Sequence, residues 1–600
     1  MKKKATALLM SLVLGTAVLA GCSDGGSQAT TAGDSQAGQT QAGETQGGET
    51  QGGETQAGDP TGETAEPSGE QVFRFSSGSV VMGLNPMLNT TGPDNGLHHI
   101  VMETLVSNVT DENGNAYIKP AAARDWTISD DGLVYTFNIR EDAKWNDGNP
   151  VTAQDFEYTF RMMATPATAS TNAWLFDGVI LNFAQALYND GTDPDFDKQP
   201  EDIGVKALDE KTLEITLEKP TAYFLDLLDG AKPVRQDKYE EFGEEYGSSA
   251  DKVVTNGPFQ VESWDMNVQM TMVRNEHYWD AENVILDKIE RKIISENATA
   301  AQALISGEID VHSTTDPDWQ GMIAGSGDYE ARVIESGAPE FYGFNASSKY
   351  FKNPKIRTAF MLGYDRQGYV DAITDGTGAP IYSMMPDNIN VGNTPYHDVV
   401  EDRNYIVKNL QEEYPDPKVL LIEGLTEEGL DPDPANMTVT LATRGVAEFS
   451  KKSAEWMKQE WESKLGVTVD IDMMEWNIMW DKVDAGEYEI ATAGWGPYYN
   501  DPNGLLSIYH PEDGYFDSAK SGWTGEDAQK FGELLDQAAL ETDELVRAEL
   551  FLEAEELLVG TGVISPTYLY TDTTFIANYV KGYQENAHAY PDYTKIYIAR

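Results

Sequence analysis

Residues 437–472 constrain the fold more tightly than any other stretch. Met437–Thr443 (MTVTLAT) is a β-rich run, and Ala454, Met457, Trp461 and Leu465 then recur at helical spacing. Gly466 offers a stop, and Val467–Asp472 (VTVDID) alternates again. Strand, helix, strand is a parallel βαβ unit. Asn297–Val311 likewise reads as a helix stopped near Gly307 and followed by a strand. The body is therefore α/β, and ligands of such sheets sit beyond the carboxyl ends of strands. The next strand pattern, Tyr488–Ala493, runs into Gly494–Pro502 (GWGPYYNDP). Glycines there permit close backbone approach, and Trp495, Tyr498 and Tyr499 offer large, stiff contact faces. Turn-forming residues just after a strand mark a loop of the kind that carries function. The same residues also suit an ordinary turn whose rings plug a core. Trp476 and Trp480 precede the loop on a predicted helix, where each either walls a cleft or packs inside.

The N-terminal segment has a different composition. Residues 1–22 (MKKKATALLMSLVLGTAVLAGC) combine a basic start, a short apolar run and a small-residue site, the pattern of a secretory signal. Its end, Leu19-Ala20-Gly21-Cys22, resembles the bacterial lipobox, which implies cleavage before Cys22 and a lipid on its sulfur. Cys22 is the sole cysteine, so no internal disulfide and no Cys-based metal site can form. Residues 23–70 hold no Lys or Arg and repeat ETQGG or close variants. Such a composition cannot bury enough surface to offset chain entropy, so it reads as a flexible tether.

The charge balance excludes a class of partners. Against 42 Lys and Arg stand 100 Asp and Glu, a formal net charge of −58. Such a surface is repelled by nucleic acid and by anionic lipid headgroups. The seven histidines are scattered, and the adjacent pair His98-His99 points in different directions, so no metal site is expected.

Val72–Phe75 reads as a strand and Gly96–Val106 as a helix. Trp126–Leu133 turns through Asp131-Gly132 into the alternating strand Val134–Arg140, a hairpin signal. Thr152 then caps a helix running through Met163. The stretch DWTISDDGLVYTFNIREDAKWNDGNPVTAQDFEYTFRMM resembles the signature of the family 5 solute-binding proteins, the oligopeptide-, dipeptide- and nickel-binding subunits of ABC importers. Further matches follow in the family's order. They are TLEITLEKPTAYFLDLL, NGPFQVESWDMNVQMTMVRNEHYW, Gly307–Val311, Tyr342–Asn345, NPKIRTAFMLGYDRQGYVDAI and the Gly494 loop.

The resemblance implies a periplasmic-binding-protein-like type II fold, α/β, with two lobes joined by a two-strand hinge and an additional third domain. It places domain I at 71–110, 205–335 and 565–600, domain II at 111–204 and domain III at 336–564. Signal (1–21) and tether (22–70) precede them, and the hinge crossovers fall near Gly337 and Ser565. Ligand contacts carried over from the family fall on Thr90, Thr91 and Gly92 in one lobe, and on Gly494, Trp495 and Gly496 in the other. Peptide binders also carry an aspartate three residues after the tryptophan, to pair with the ligand's α-ammonium. Here that position is Tyr498, a neutral phenol that cannot repay desolvation of an ion as a carboxylate would. Asp501, three residues further on, is the substitute to weigh, although an aspartate before proline in a turn is more often structural.

No nucleophile elbow, HExxH, P-loop or CxxC occurs. Asp193–Asp197 suggests calcium, but Lys198 stands where an EF-hand loop needs glycine. The expectation is a non-enzymatic, lipid-anchored extracytoplasmic receptor without cofactor or metal. It would act as a monomer, capture peptides and deliver them to an ABC permease, touching the membrane through its lipid alone. An oligosaccharide-binding member of the same family is the alternative, since aromatic loops also stack on sugar rings. A secreted hydrolase is a third, from a different class.

Overall fold

In the computed structural model, residues 66–88, 92–400, 405–512 and 514–600 are described. Cys22, the signal-like segment and the tether lie outside the described residues, as do Thr90 and Thr91. Among the described residues no helix is long and apolar enough to cross a membrane.

The hairpin and helix of the signature stretch form as their pattern requires. Ala123–Ile128 pairs antiparallel with Val134–Ile139, and the turn passes through Gly132 at a φ of +70°, which glycine adopts without strain. Thr152 caps the helix Ala153–Met163, and Asp155 completes a capping box. The Asp155 carboxylate also accepts from the indole of fully buried Trp145 at 3.3 Å, fastening the preceding turn to the helix. Thr152→Ala is expected to cost about 1 kcal/mol of stability. A lowered thermal midpoint would show it, and an unchanged one would mean that Asp155 alone holds the helix start.

Thr212–Thr216 lies against Val134–Ile139 and Val205–Ala207 beyond it, completing a four-stranded sheet over a core that includes Phe137, Phe156, Phe160, Phe176 and Ile215. A domain II ending at residue 204 is therefore too short. Its sheet takes two strands from the segment assigned to domain I, and the chain returns to the first lobe only with Phe259–Asp265. The helix expected at Gly96–Val106 is found at Gly92–Val101, and Val106–Thr110 is a strand paired with Ala116–Pro120. Pro93 suits a first helical turn, where no partner for its missing N–H is needed.

The larger sheet has twelve strands. Its first-lobe half runs Phe259–Asp265, Gln269–Arg274, Lys288–Ile293, Val72–Ser77, Val311–Thr314. Its second-lobe half runs Thr468–Met474, Thr438–Arg444, Ile490–Gly494, Glu340–Phe344. The predicted βαβ unit is here. Thr438–Arg444 and Thr468–Met474 are parallel in unbroken register, and the intervening helix Glu448–Leu465 buries Ala454, Met457, Trp461 and Leu465 before stopping at Gly466, φ +80°.

Between the halves lies Ile564–Ala577, a 14-residue strand. It pairs with Glu340–Phe344 up to Tyr568 and with Tyr329–Glu335 from Thr571 onward. The chain thus crosses between the lobes twice, side by side, at Ser336–Pro339 and Tyr568–Thr571. The Ser336 N–H donates to the Tyr570 carbonyl at 2.8 Å within the crossing. This is the two-strand hinge of a type II binding-protein fold, and its second crossing lies just beyond Ser565.

Candidate functional site

Thr438–Arg444 is parallel to both Thr468–Met474 and Ile490–Gly494, so Arg444, Met474 and Gly494 end on one edge of the second lobe. Ligand sites of α/β sheets form at such an edge. The segments leaving it carry Phe449, Trp476, Ile478 and Tyr498, each between 36 and 52% exposed. The helix Trp476–Asp484 explains part of this, since burying Met479 and Val483 turns Trp476 and Ile478 outward. Trp480 packs against the core instead. Ring contacts link the wall: Trp476 with Trp480 at 5.8 Å, Trp480 with Tyr515 at 5.6 Å, and Tyr515 with Trp495 at 5.2 Å. At the hinge, Tyr570 extends it through Phe449 at 6.3 Å.

Glu340 and Arg444 form an ion pair at the base of this wall, and the Arg444 guanidinium lies 5.4 Å from the Trp476 ring centre. Burial pushes the Glu340 carboxyl up, and Arg444 opposes that shift. Glu340 sits opposite Gly494 in the sheet, and its carboxylate occupies the place of a Gly494 side chain: a Cβ there would lie 2.3 Å from Oε1. A side chain at 494 would thus have to push the Glu340 carboxylate out of its place beside Arg444, a reason for glycine different from ligand approach. Gly496 is exposed, and a Cβ there would make only an ordinary contact with Ala338, at 3.5 Å.

The other candidates separate by position. The Trp495 backbone N–H donates to the Pro339 carbonyl at 3.2 Å, while its buried indole N–H has no hydrogen-bond partner among the described residues. Tyr498 meets Trp174 edge-on at 4.5 Å, and Tyr499 stacks on Tyr223 at 4.4 Å, so both rings reach across to the short helical segments of domain II. Gly92 opens the helix whose far end places His99 against Asp229 at 2.9 Å and flat on Tyr590 at 3.6 Å.

Asp501 does not face ligand. It is 1% exposed, and Arg547, itself buried, binds both its oxygens, with Nη2 2.8 Å from Oδ1. Oδ1 also accepts from the Asn503 N–H at 2.9 Å, closing the turn. The expectation that Asp501 replaces the missing amine-pairing acid is therefore corrected, because its charge is already spent inside the second lobe.

A cavity of about 350 Å³ lies between the lobes. Tyr498, Tyr499 and Asn500 line it from the second lobe, Asp226 from domain II, and Glu585 and His588 from the first lobe. Beside it Asn390 donates to the Ala116 carbonyl at 2.6 Å, and Asn388 Oδ1 lies 3.1 Å from His588 Nε2. Burial pushes the His588 imidazole down to about 4, so it is neutral near pH 7. Sequence reasoning missed Glu340, Arg444, Phe449, Tyr570 and Asp226. Arg444 was within reach, as the residue closing a parallel strand; the others come together only through the hinge and the lobe contact.

A family model described as bacterial extracellular solute-binding proteins, family 5 middle, matches residues 117–517. The dipeptide-binding protein DppE of Bacillus subtilis is 29% identical over 532 residues, 88% of this chain and 92% of the relative. Among solved structures, the unliganded open form of the periplasmic murein tripeptide-binding protein MppA superposes with a TM-score of 0.75 at 25% identity, over 90% of this chain and 99% of the other. Listeria monocytogenes OppA bound to peptide gives 0.60 at 26% identity, over 89% and 100%. At near-equal identity the higher score goes to the open form, so the lobes here are arranged more like that state than like the peptide-bound one.

Proposed function

Since the chain belongs to the bacterial extracellular solute-binding proteins of family 5, we propose that it captures short peptides between its lobes and hands them unchanged to an ABC permease. The observation that carries this reading is the wall of exposed rings at the carboxyl edge of three parallel strands, standing beside a two-strand hinge. Relatives named for dipeptide and oligopeptide binding support the choice of peptide. A main chain laid along such an edge gains hydrogen bonds from backbone groups, while the side chains of the ligand fall against adaptable ring surfaces.

Thr90, Thr91 and Gly92 on one lobe, and Trp495, Gly496 and Tyr498 on the other, remain the proposed contacts. Gly494 joins them as a positioning residue, through Glu340. Closure is a population shift: a ligand touching both lobes favours the state in which both touch it. Cys22 would carry the lipid that anchors the body outside the cell membrane, with residues 23–70 as tether.

Thermal stabilisation by mixed short peptides, and none by xylo- or cello-oligosaccharides, is the expected result. The reverse pattern would transfer the site to sugars, and turnover of any added compound would overturn the non-enzymatic reading. Trp476→Ala and Trp495→Ala are each expected to weaken peptide binding by about 1–2 kcal/mol, roughly five- to thirty-fold. Unchanged affinity in both would remove the ring wall from the site.

A further inference from the structure

We propose that Asp226, reaching from domain II into the cavity between the lobes, is the carboxylate that receives a ligand's primary ammonium. The assignment rests on the peptide reading above. Among the described residues three acids line the cavity, Asp226, Asp229 and Glu585, and no Lys or Arg lines it. Two of the three are already engaged. Asp229 is held by Lys232 and His99, each at 2.9 Å, which keep it well below the usual carboxylate range despite burial. Glu585 accepts from the Thr574 hydroxyl at 2.9 Å.

Asp226 differs from both. No other residue among those described donates a hydrogen bond to its side chain or forms an ion pair with it. Arg547, the guanidinium whose charge acts on it, is committed to Asp501. Burial, and then the Asp501 charge, push the Asp226 carboxyl well above its ordinary range, with Arg547 opposing in part. An uncompensated acid at the edge of a cavity is costly unless a cation meets it.

A second group points to the same space. Asn500 is 4% exposed and lines the cavity. Its Oδ1 accepts from the Asn390 N–H at 3.0 Å, which fixes the orientation of the amide. The Asn500 Nδ2 then has no partner among the described residues and can donate to a ligand carbonyl. Acid, amide donor and the tyrosine rings of 498 and 499 together suit an ammonium followed by a peptide carbonyl. The volume falls within the range of small-ligand sites.

The test uses mixtures of randomised tetrapeptides with free or acetylated amino termini, each made with and without lysine, and reads thermal stabilisation of the full chain. The wild type should prefer the free-amine, lysine-free mixture to its acetylated counterpart. Asp226→Asn should lose that preference, with at least a ten-fold rise in the half-saturating concentration of the free-amine mixture. Asp226→Glu should keep it. Unliganded Asp226→Asn should melt above the wild type, because it removes an acid that burial disfavours, and this also establishes that the variant folds. Stabilisation of the wild type by the acetylated mixture only when it contains lysine would assign the site to a side-chain ammonium rather than the terminus. An unchanged preference in Asp226→Asn, or equal response of the wild type to all mixtures, overturns the assignment and leaves peptide binding standing. No response of the wild type to any mixture overturns both.

Discussion

Arg547→Ala is expected to destabilise the second lobe by about 3–5 kcal/mol, the largest single effect among the substitutions considered. The guanidinium binds both oxygens of Asp501, and its Nε donates to the Ala538 carbonyl at 2.8 Å. Truncation leaves a buried carboxylate unpaired and a carbonyl unsatisfied together. Burial already raises the Asp501 carboxyl, with Arg547 holding it back, and loss of the arginine raises it further. A folded-state acid with a raised pKa costs stability as pH rises, so the deficit should be full near neutral pH and shrink as Asp501 protonates on acidification. Urea unfolding at two pH values measures this. Pairing Arg547→Met with Asp501→Leu should recover most of the loss, since an apolar pair removes both desolvation costs. Asp501→Asn that abolished ligand binding with stability intact would return Asp501 to the ligand site.

Gly337→Ala should cost about 1–3 kcal/mol and weaken ligand binding about ten-fold. A Cβ at Gly337 would lie 2.0 Å from His588 Cε1 and 2.4 Å from Nε2. The methyl group must displace the imidazole from the first hinge crossing, breaking its contact with Asn388 and separating two segments that meet across the lobes. The backbone at 337 lies outside the positive-φ region, so the conflict is one of space alone. Adding His588→Ala should therefore restore stability, although without the Asn388 contact. Full binding by Gly337→Ala would mean that the hinge closes without His588 in this position.

Local pattern carried much of the architecture. The hairpin through Gly132, the capping box at Thr152 and Asp155, and the βαβ unit closed by Gly466 are each set by residues within a few turns of one another. Chain-distant pairing was not legible in the same way. Thr212–Thr216 looks like any amphipathic strand, and nothing in its sequence says that its neighbour is Val134–Ile139, hence the misplaced domain boundary. The site divided likewise. Trp476, Trp495 and Tyr498 announced themselves as rings near strand ends. Asp501 misled because its counter-ion lies 46 residues away, on the helix Glu544–Gly560. Asp226 carried no signal because its surroundings are assembled from both lobes.

The strand Ile564–Ala577 has one further consequence, for the order in which the protein can assemble. It lies between Glu340–Phe344 and Val311–Thr314, the innermost strands of the two halves. A ribosome delivers it after both of its partner strands. Until then each half presents an unpaired inner edge, and the partners waiting there are separated from it by more than two hundred residues of chain. Contacts so distant in sequence form slowly. Both lobes must therefore mature late and together, and this strand is the piece that locks the two halves of the sheet to each other.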